Sequence, residues 1–374
     1  MTGPSLRPTW AEINLSNFRA NLETVCRLVP PKTGVLAVVK ANGYGIGAVA
    51  ASRAALSVPK VAGLAVATPD EAVELRNDGI GGLVLVLGPV TPEGAEAMAR
   101  QDVSVTVANP QAVHDVRRAA RTVGKRIRVH LKIETGMGRI GMRPGAELSE
   151  ALSALADAPE VTVEGVFTHF AASDTDREYT ALQMDAFEDA IRQIEAAGIR
   201  PRYRHAANSA AILSFPRAHL DLVRPGIVLY GSYPDPSLSG VAPVLPVLSL
   251  LSRVSHVKRV PSGYSVGYGR TYVTAAATTI ATVPIGYADG YPRLLSGKGA
   301  VLIHGRRFPL AGRVCMDQIM VDVGDEDVQA GDLVTLIGVQ GGETITVDEV
   351  AALSGTIAHE ILTGIGPRVP RVYV

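Results

Sequence analysis

Cysteine is scarce in this sequence of 374 residues, which contains only Cys26 and Cys315. Two cysteines so far apart do not form a metal-binding pattern, and reduced thiols are the default interpretation. Neither sign of charge is in excess, because 36 Lys and Arg residues balance 36 Asp and Glu residues. A chain without net charge offers no basic field for a phosphate backbone, so we expect no nucleic acid as a partner.

Long apolar runs are also missing. No uninterrupted apolar stretch approaches the ~18 residues of a membrane span, and residues 1–10 lack the apolar core of a secretory signal. We therefore expect no membrane partner and a cytoplasmic location. Lysine is rare too, with seven residues among the 36 basic ones, so each lysine can be considered individually.

Short apolar segments alternate with stretches of helical period between residues 36 and 230, as in repeated βα units. Thr68-Pro69 and Thr91-Pro92 mark helix starts, and residues 179–197 carry an apolar stripe at helical spacing. The predicted strands are 36–39, 63–67, 83–87, 103–107, 129–133, 163–167, 203–205 and 227–230. Eight such strands predict a closed (β/α)₈ TIM-type barrel over residues 10–240, although a doubly wound open sheet would produce a similar local pattern.

The pattern changes after about Ser232, where proline-rich sequence predicts a linker and the apolar period shifts toward two. These features predict a mostly β C-terminal domain over residues 241–374, joined by the N-terminal segment 1–9. Its predicted strands are 247–257, 278–284, 300–303, 320–323 and 333–337, and its predicted short helices are 348–353 and 357–362.

A lysine ends the first predicted barrel strand. Lys40 follows the apolar segment and precedes the glycine-rich run NGYGIG at 42–47. Functional side chains of a barrel gather where its strands end. Desolvation would make this amine a Schiff-base nucleophile, or the amine would pair with a carboxylate or phosphate. A lysine that simply reaches solvent is equally common, although the glycines favour close approach of an anion.

Other polar residues follow later strands. Arg139 lies beyond a tight turn after the fifth strand, where its guanidinium suits a substrate carboxylate through two parallel hydrogen bonds, although a surface arginine is the commoner fate. His169 and His205 end the sixth and seventh strands. A lone histidine is usually structural, but two at successive strand ends favour a site.

A phosphate site is predicted beside strands seven and eight, where barrels commonly hold one. Ser209 begins a predicted helix, and Gly226 and Ile227 follow Arg224-Pro225. The serine hydroxyl and the backbone N–H groups are the donors that such a site needs.

Taken together, several ordered blocks resemble those of alanine racemases. Agreement extends from Trp10-Ala11-Glu12 to Arg368-Val369-Pro370-Arg371 and includes the second domain. The blocks are AVVKANGYG at 37–45, TGMGR at 135–139, HAANS at 205–209, RPG at 224–226, VGYG at 266–269, IGYADG at 285–290 and VCMD at 314–317. Several blocks in order are far more specific than any one of them.

The resemblance implies a (β/α)₈ barrel followed by a β-rich domain, with pyridoxal 5'-phosphate as the cofactor. It implies racemisation of L-alanine and D-alanine by two bases, Lys40 on one face and Tyr268 of the partner subunit on the other. A homodimer with shared active sites and a role in supplying D-alanine for peptidoglycan follow from the same resemblance.

Roles of further residues also come from the resemblance. Arg224 would face the pyridine nitrogen, supported by His205, and His169 would orient the tyrosine base. The expected cofactor-binding residues are Lys40, Tyr44, His169, Asn208, Ser209, Arg224, Gly226 and Ile227. Arg139 and the backbone N–H of Met316 would hold the substrate carboxylate, with Lys132, His205 and Asp317 in support. The position of Lys132 is carbamylated in some members of the family.

The sequence departs from the family pattern at two positions. Ile46 stands where many members have histidine, and Pro367 precedes Arg-Val-Pro-Arg where some carry a tyrosine that lines the substrate entrance. Neither departure touches the two expected bases.

Three other functions remain to be weighed against alanine racemisation. One is a racemase of the same family with broader or different amino-acid specificity. A pyridoxal-phosphate-dependent amino-acid decarboxylase is disfavoured, because such enzymes set an acidic residue, and not an arginine such as Arg224, against the ring nitrogen. A non-catalytic carrier of the cofactor is disfavoured by the complete second domain with Tyr268.

Overall fold

The computed structural model describes residues 6–374, and residues 1–5 of the expected N-terminal segment lie outside the described part. Eight parallel strands close into a barrel, which confirms the predicted fold class. The barrel strands are β2 (Gly34–Val38), β3 (Val61–Val66), β4 (Leu83–Val86), β5 (Ser104–Val107), β6 (Ile127–Lys132), β7 (Val161–Phe167), β8 (Tyr203–His205) and β9 (Leu222–Val223).

Helices cover the outside of the barrel, and their starts follow the predicted capping signals. Thr68 caps α4 in a capping box with Glu71, and Thr91 caps α5. The helices of this half of the chain are α1 (Leu15–Leu28), α2 (Lys40–Tyr44), α3 (Ala48–Leu56), α4 (Pro69–Asn77), α5 (Pro92–Arg100), α6 (Pro110–Val123), α7 (Ala146–Ala156), α8 (Arg177–Ala196) and α9 (Ser209–Ser214).

The eighth predicted strand, 227–230, is wrong. Ile227–Tyr230 is a 3-10 turn, and the strand that closes the barrel is Leu222–Val223, before Arg224-Pro225. All four residues of the turn are buried, and a short apolar run buried on every side has no periodicity that separates a strand from a helical turn. The segment 227–230 nevertheless packs inside the molecule, where the Tyr230 hydroxyl donates to the Val38 carbonyl at 2.8 Å.

The second domain is mostly β, as predicted. Its largest sheet has the order β16-β15-β18-β10-β1-β20, with β19 on β18, beside a three-stranded sheet β11-β14-β17. The strands are β1 (Thr9–Ile13), β10 (Leu248–Arg253), β11 (His256–Val260), β12 (Ser265–Val266), β13 (Tyr272–Val273), β14 (Thr278–Val283), β15 (Ala300–Ile303), β16 (Arg306–Pro309), β17 (Ile319–Gly324), β18 (Leu333–Gln340), β19 (Glu343–Ile345) and β20 (Arg371–Tyr373), with helices α10 (Val347–Ser354) and α11 (Ala358–Gly364).

Two boundaries differ from the sequence prediction. The segment 247–257 is two strands in different sheets, separated at Val254 and Ser255. Strand β1 (Thr9–Ile13) pairs with β10 and β20 of the second domain. The N-terminal segment that joins this domain therefore extends to Ile13, beyond the predicted end at residue 9.

Strand β20 also contacts the barrel beside Lys40. The Arg371 side chain donates to the Gly45 carbonyl at 2.9 Å, and the Tyr373 hydroxyl donates to the Ile46 carbonyl at 3.0 Å. A side chain at Gly47 would collide with the Tyr373 hydroxyl. The second domain thus holds the loop that follows α2. Within residues 6–374, no helix has the length and apolar character needed to cross a bilayer.

Candidate active site

The carboxyl ends of the barrel strands open into a cavity of about 540 Å³. Most of the polar residues predicted from strand ends meet there. Including those expected from the family resemblance, the predicted site residues that line the cavity are Lys40, Tyr44, Lys132, Arg139, His169, Asn208, Ser209, Arg224, Gly226 and Ile227. These residues lie at or after the ends of five barrel strands, β2, β6, β7, β8 and β9.

Lys40 begins α2, a single turn with unusual handedness. Ala41, Asn42, Gly43 and Tyr44 all have φ between 50° and 59°, a conformation that costs about 1–2 kcal/mol for each residue with a side chain. The Glu71 carboxylate offsets part of this cost by accepting the Ala41 N–H at 2.5 Å. Burial and the nearby Arg139 lower the pKa of the Lys40 amine, which favours its nucleophilic form.

A group of donors faces the cavity beside Lys40. The buried Ser209 hydroxyl accepts the Gly226 N–H at 2.9 Å, so its own proton remains available to a ligand. Any side chain at Gly226 would collide with the Tyr44 hydroxyl. Asn208 caps α9 through the Ala211 N–H at 3.0 Å. These contacts fix two hydroxyl groups and bare backbone within one small region, which suits a phosphate.

Arg224 is buried and lines the same cavity, with its guanidinium held in one orientation. One terminal nitrogen donates to Nδ1 and the carbonyl of His205, both at 2.9 Å. The other donates to the carbonyls of Thr168 at 2.6 Å and Ala206 at 3.0 Å. The second nitrogen also lies 3.3 Å from His169 Nδ1, so one of its two N–H groups is shared between two acceptors. These contacts engage the four terminal N–H groups and leave Nε as the donor for a ligand. Burial and Arg139 lower the pKa of Arg224 to about 9, which leaves it protonated at neutral pH.

His169 lies in the cavity wall, and its contact with Arg224 determines which ring nitrogen carries the proton. The guanidinium donates to His169 Nδ1 at 3.3 Å, and an arginine can only donate. Burial, followed by Arg224 and Arg139, lowers the pKa of His169 well below its usual value. The imidazole is therefore neutral, and its remaining proton is on Nε2.

Arg139 stands at the rim of the cavity, positioned by the turn that precedes it. Burial acts to raise the pKa of Glu134, but hydrogen bonds from Gly136, Gly138 and Met137 and the charge of Lys132 outweigh it and lower that pKa. The ionised carboxylate accepts the Gly136 N–H at 2.5 Å and so fixes the turn. Lys132 beneath it is 2% exposed and donates to the Ile133 carbonyl at 2.7 Å.

Four predicted site residues do not line this cavity. His205 is fully buried and contacts Arg224, and the other three belong to the second domain. Tyr268 and Met316 lie in the second domain and are 72% and 52% exposed. Asp317 accepts a hydrogen bond from Arg368 at 2.7 Å and anchors the loop that carries Met316. Tyr268 and Met316 are thus surface residues of this chain.

The second domain contributes two cavity residues that the sequence analysis missed, Ile357 and His359. The His359 ring packs against Tyr44 with 5.8 Å between centroids. No pattern in the sequence marks either residue, because the tertiary fold alone brings α11 to the barrel mouth. Pro367 is exposed and does not line the cavity, whereas Ile46 is fully buried.

A metal centre finds no support in the part of the chain that the structure describes, since residues 6–374 hold no group of three His, Cys, Asp or Glu side chains placed to share an ion. The cationic and imidazole side chains that line the cavity are those of Lys40, Lys132, Arg139, Arg224, His169 and His359.

Comparison with known proteins agrees with this geometry. The family descriptions "Alanine racemase, N-terminal domain" and "Alanine racemase, C-terminal domain" match residues 13–234 and 247–373. The alanine racemase of Symbiobacterium thermophilum is 47% identical over 98% of this chain and 97% of its own length. That of Carboxydothermus hydrogenoformans is 46% identical over 99% of this chain and 100% of its own length.

Solved structures give the same result. The alanine racemase of D-cycloserine-producing Streptomyces lavendulae has a TM-score of 0.94 and 41% identity, covering 99% of this chain and 98% of that one. The Bacillus anthracis alanine racemase with bound L-Ala-P has a TM-score of 0.94 and 40% identity, covering 100% of this chain and 96% of that one. With both domains matched and the cavity residues in place, this chain belongs to the alanine racemase family of isomerases.

Proposed function

We propose that this chain racemises L-alanine and D-alanine with pyridoxal 5'-phosphate as its cofactor, by a two-base mechanism. Lys40 acts on one face of the substrate and Tyr268 of the partner subunit acts on the other. The observation that carries the proposal is the pairing, within one cavity, of a desolvated amine at Lys40 with the oriented Arg224 guanidinium.

The residues of the cavity fit this cofactor. Tyr44, Ser209, Gly226 and Ile227 would hold its phosphate, and Asn208 shapes the loop behind them. Lys40 would hold its aldehyde carbon and Arg224 would contact its ring nitrogen. When bound, the cofactor supplies an electron-withdrawing ring that acidifies the Cα–H of an attached amino acid.

Arg224 determines which reaction follows. An arginine stays protonated and does not transfer its proton to the ring nitrogen as an acid would. The electron-withdrawing effect at Cα is then limited, so a proton lost from Cα returns to Cα. Racemisation is thereby favoured over transamination.

The two bases need different support. Burial and Arg139 make the neutral amine of Lys40 accessible. A tyrosine has an ordinary pKa of about 10 and needs a donor that stabilises its phenolate. His169 presents its Nε2 proton for that purpose, since Arg224 occupies Nδ1.

The substrate carboxylate would bind Arg139 together with the backbone N–H of the partner's Met316. Asp317 holds the Met316 loop through Arg368. Lys132 lies behind Arg139 and, as a carbamate, would place an anion against that guanidinium. His205 supports Arg224 from below.

This mechanism makes the protein a homodimer with shared active sites. D-Alanine made by it would supply peptidoglycan synthesis, and the expected location is cytoplasmic. The supply role follows from the proposed activity, whereas the location follows from the sequence pattern.

The two-base assignment predicts opposite defects in two variants. In Lys40→Ala with an exogenous amine, and separately in Tyr268→Ala, exchange of the Cα proton with solvent deuterium should be impaired for opposite enantiomers of alanine. The measurement is NMR of each enantiomer in deuterated buffer, with Tyr264→Ala as a control for loss of an exposed tyrosine of the same domain. If both active-site variants lose exchange with the same enantiomer, the assignment is wrong.

A further inference from the structure

A line of polar side chains continues from Arg224 into the barrel, away from the cavity. His205 Nε2 lies 2.8 Å from His130 Nδ1, and His130 Nε2 lies 3.2 Å from a carboxylate oxygen of Glu164. Both imidazoles are fully buried. Ser104 completes the line by donating its hydroxyl to the same carboxylate at 2.6 Å.

The direction of every hydrogen bond in this line is determined. Arg224 donates to His205 Nδ1, so the proton of neutral His205 is on Nε2 and is donated to His130 Nδ1. The proton of His130 is then on Nε2 and is donated to Glu164. Protonation of either imidazole would set two N–H groups against each other. The pKa of His205 is accordingly well below its usual value, through burial, Arg224 and His130.

The barrel wall is built around His130. A Cβ on Gly165 would lie 2.4 Å from His130 Nδ1, so only glycine at this position of β7 leaves room for the ring. The register between β6 and β7 shifts here, since Val129 pairs with Val163 and His130 pairs with Gly165. Glu164 is the extra residue of this bulge. A bulge redirects a side chain, and here the redirected side chain is the acceptor of the line.

The carboxylate at the far end of the line has a cationic partner, Arg128. Glu164 contacts His130 and Ser104, and Arg128 Nε lies 3.5 Å from its other oxygen. Arg128 also pairs with Asp102 at 2.8 Å. Burial acts to raise the pKa of Glu164, but the hydrogen bonds from His130 and Ser104 and the charge of Arg128 lower it, so it remains an acceptor.

We propose that His130 and Glu164 are positioning residues for Arg224, acting through His205. Their position as the buried end of the line keeps His205 in the Nε2–H form, the only neutral form that accepts a hydrogen bond from the guanidinium. Their importance for catalysis rests on the proposed function of Arg224. The tautomers of His130 and His205 do not depend on that proposed function.

The first test is the tautomeric state of both histidines in the full-length protein, with and without bound cofactor, by two-bond ¹H–¹⁵N NMR of ¹⁵N-labelled imidazoles. The expected result is the neutral Nε2–H form of His130 and of His205. An imidazolium, or Nδ1–H on either ring, overturns the proposal without the need for any variant.

The second test compares Glu164→Leu with Glu164→Gln. Leucine removes the acceptor for His130 Nε2, whereas the glutamine amide oxygen restores it. We expect Glu164→Leu to give a mixture of tautomers and a kcat about tenfold lower, the size of effect that loss of an outer hydrogen-bond partner has at metal sites, with KM within about twofold. Glu164→Gln should restore the tautomers and most of kcat. Transamination events per racemisation should rise only in the leucine variant.

The matched control is Glu160, an acidic residue just before β7 that pairs with Arg121 and Arg117 and not with the histidines. Glu160→Leu should leave the tautomers and kcat unchanged. If Glu164→Leu behaves like Glu160→Leu in both measurements, the proposal is overturned. Should the protein prove not to racemise alanine while the tautomers are as expected, the proposed function fails and the positioning of Arg224 stands.

Discussion

Lys132 is an amine enclosed by the barrel wall, and its ionisation opposes folding. Its side chain is 2% exposed, and burial, together with Arg224 and Arg139, lowers its pKa to about 8 despite the nearby Glu134. An unfolded lysine has a pKa of about 10.4. Between these values the unfolded chain binds a proton that the folded chain does not, so the stability contributed at this residue rises with pH from about 8 to about 10.4.

We therefore expect Lys132→Met to stabilise the protein near neutral pH. The free energy of unfolding in buffer free of carbon dioxide should rise by about 1–3 kcal/mol at pH 7, since a lowered pKa is a cost of about 1.4 kcal/mol per unit. The gain should shrink as the pH approaches 10.4. The Ile133 carbonyl still accepts the Thr168 hydroxyl at 3.0 Å in the variant. Chemical denaturation across this pH range provides the measurement.

The neutral form of Lys132 is also the form that reacts with carbon dioxide to give a carbamate and a proton. Added ¹³C-bicarbonate should give a protein carbamate signal by NMR in the parent protein and none in Lys132→Met. Lys60→Met serves as the control for loss of a lysine that donates to backbone carbonyls elsewhere. A signal that persists in Lys132→Met would assign the carbamate to another amine.

Individual site residues were predictable where a strand end dictates the direction of a side chain. Lys40, Arg139 and His169 follow barrel strands in sequence, and they line one cavity. His359 was not predictable, because its place depends on how the second domain packs on the barrel. The hydrogen-bonding state of His169 was also beyond the sequence, since it depends on the atom that Arg224 contacts.

At the scale of elements, the left-handed turn α2 is the part of the fold that local preferences least favour. Asn42 and Gly43 tolerate this conformation, but Ala41 and Tyr44 do not. The turn persists because its backbone is held from outside. The Glu71 carboxylate accepts the N–H groups of Ala41 and Ala67 with different oxygens.

Glu71→Gln should therefore destabilise the turn. An amide has one acceptor oxygen, so one of the two backbone N–H groups would face an NH₂ group, at a cost of about 1–3 kcal/mol. We expect a lower free energy of unfolding and faster loss of pyridoxal phosphate, measured by denaturation and by absorbance after dilution. Glu74→Gln, at an exposed position of the same helix, should leave both unchanged. Equal effects of the two substitutions would contradict the role given to Glu71.

Element types were predictable where the apolar period was long or the ends were marked. Helix α8 and the capped helices α4 and α5 agree with their predicted positions. The strand predicted at 227–230 failed because burial on all sides removes periodicity. The turn α2 could not be foreseen from Asn42 and Gly43 alone. Part of its stabilisation comes from the hydrogen bond between the Ala41 N–H and Glu71, which lies thirty positions after Ala41.

At the scale of the whole molecule, the two candidate bases lie in different environments. Lys40 lines the cavity, whereas Tyr268 is 72% exposed on the second domain. Leu294 and Met316 are exposed on the same domain, at 64% and 52%. The proposed mechanism therefore includes a second copy of the chain, whose second domain would bring such a surface to the cavity.

Mixing two inactive variants tests that arrangement. Lys40→Ala and Tyr268→Ala, dissociated and reassociated together, should recover about a quarter of the parent activity, because random assortment makes half of the dimers mixed and each mixed dimer holds one intact site of two. Activity and native mass of the mixture are the measurements. Mixed dimers without activity would mean that each chain completes its own site.

Strand β1 pairs with β20, and Arg371 donates a hydrogen bond to Gly45. Both contacts join the two ends of the chain, so they form only after synthesis is nearly complete. Arg371 lies 326 positions after the carbonyl it binds. At about 5–20 residues per second, the ribosome takes on the order of half a minute to synthesise that stretch. Strand β1 likewise cannot pair with its parallel neighbour β20 until the end of the chain has been synthesised. The turn that begins at Lys40 is therefore synthesised long before Arg371, so a nascent chain has the barrel sequence but not yet the contact that holds the loop after this turn.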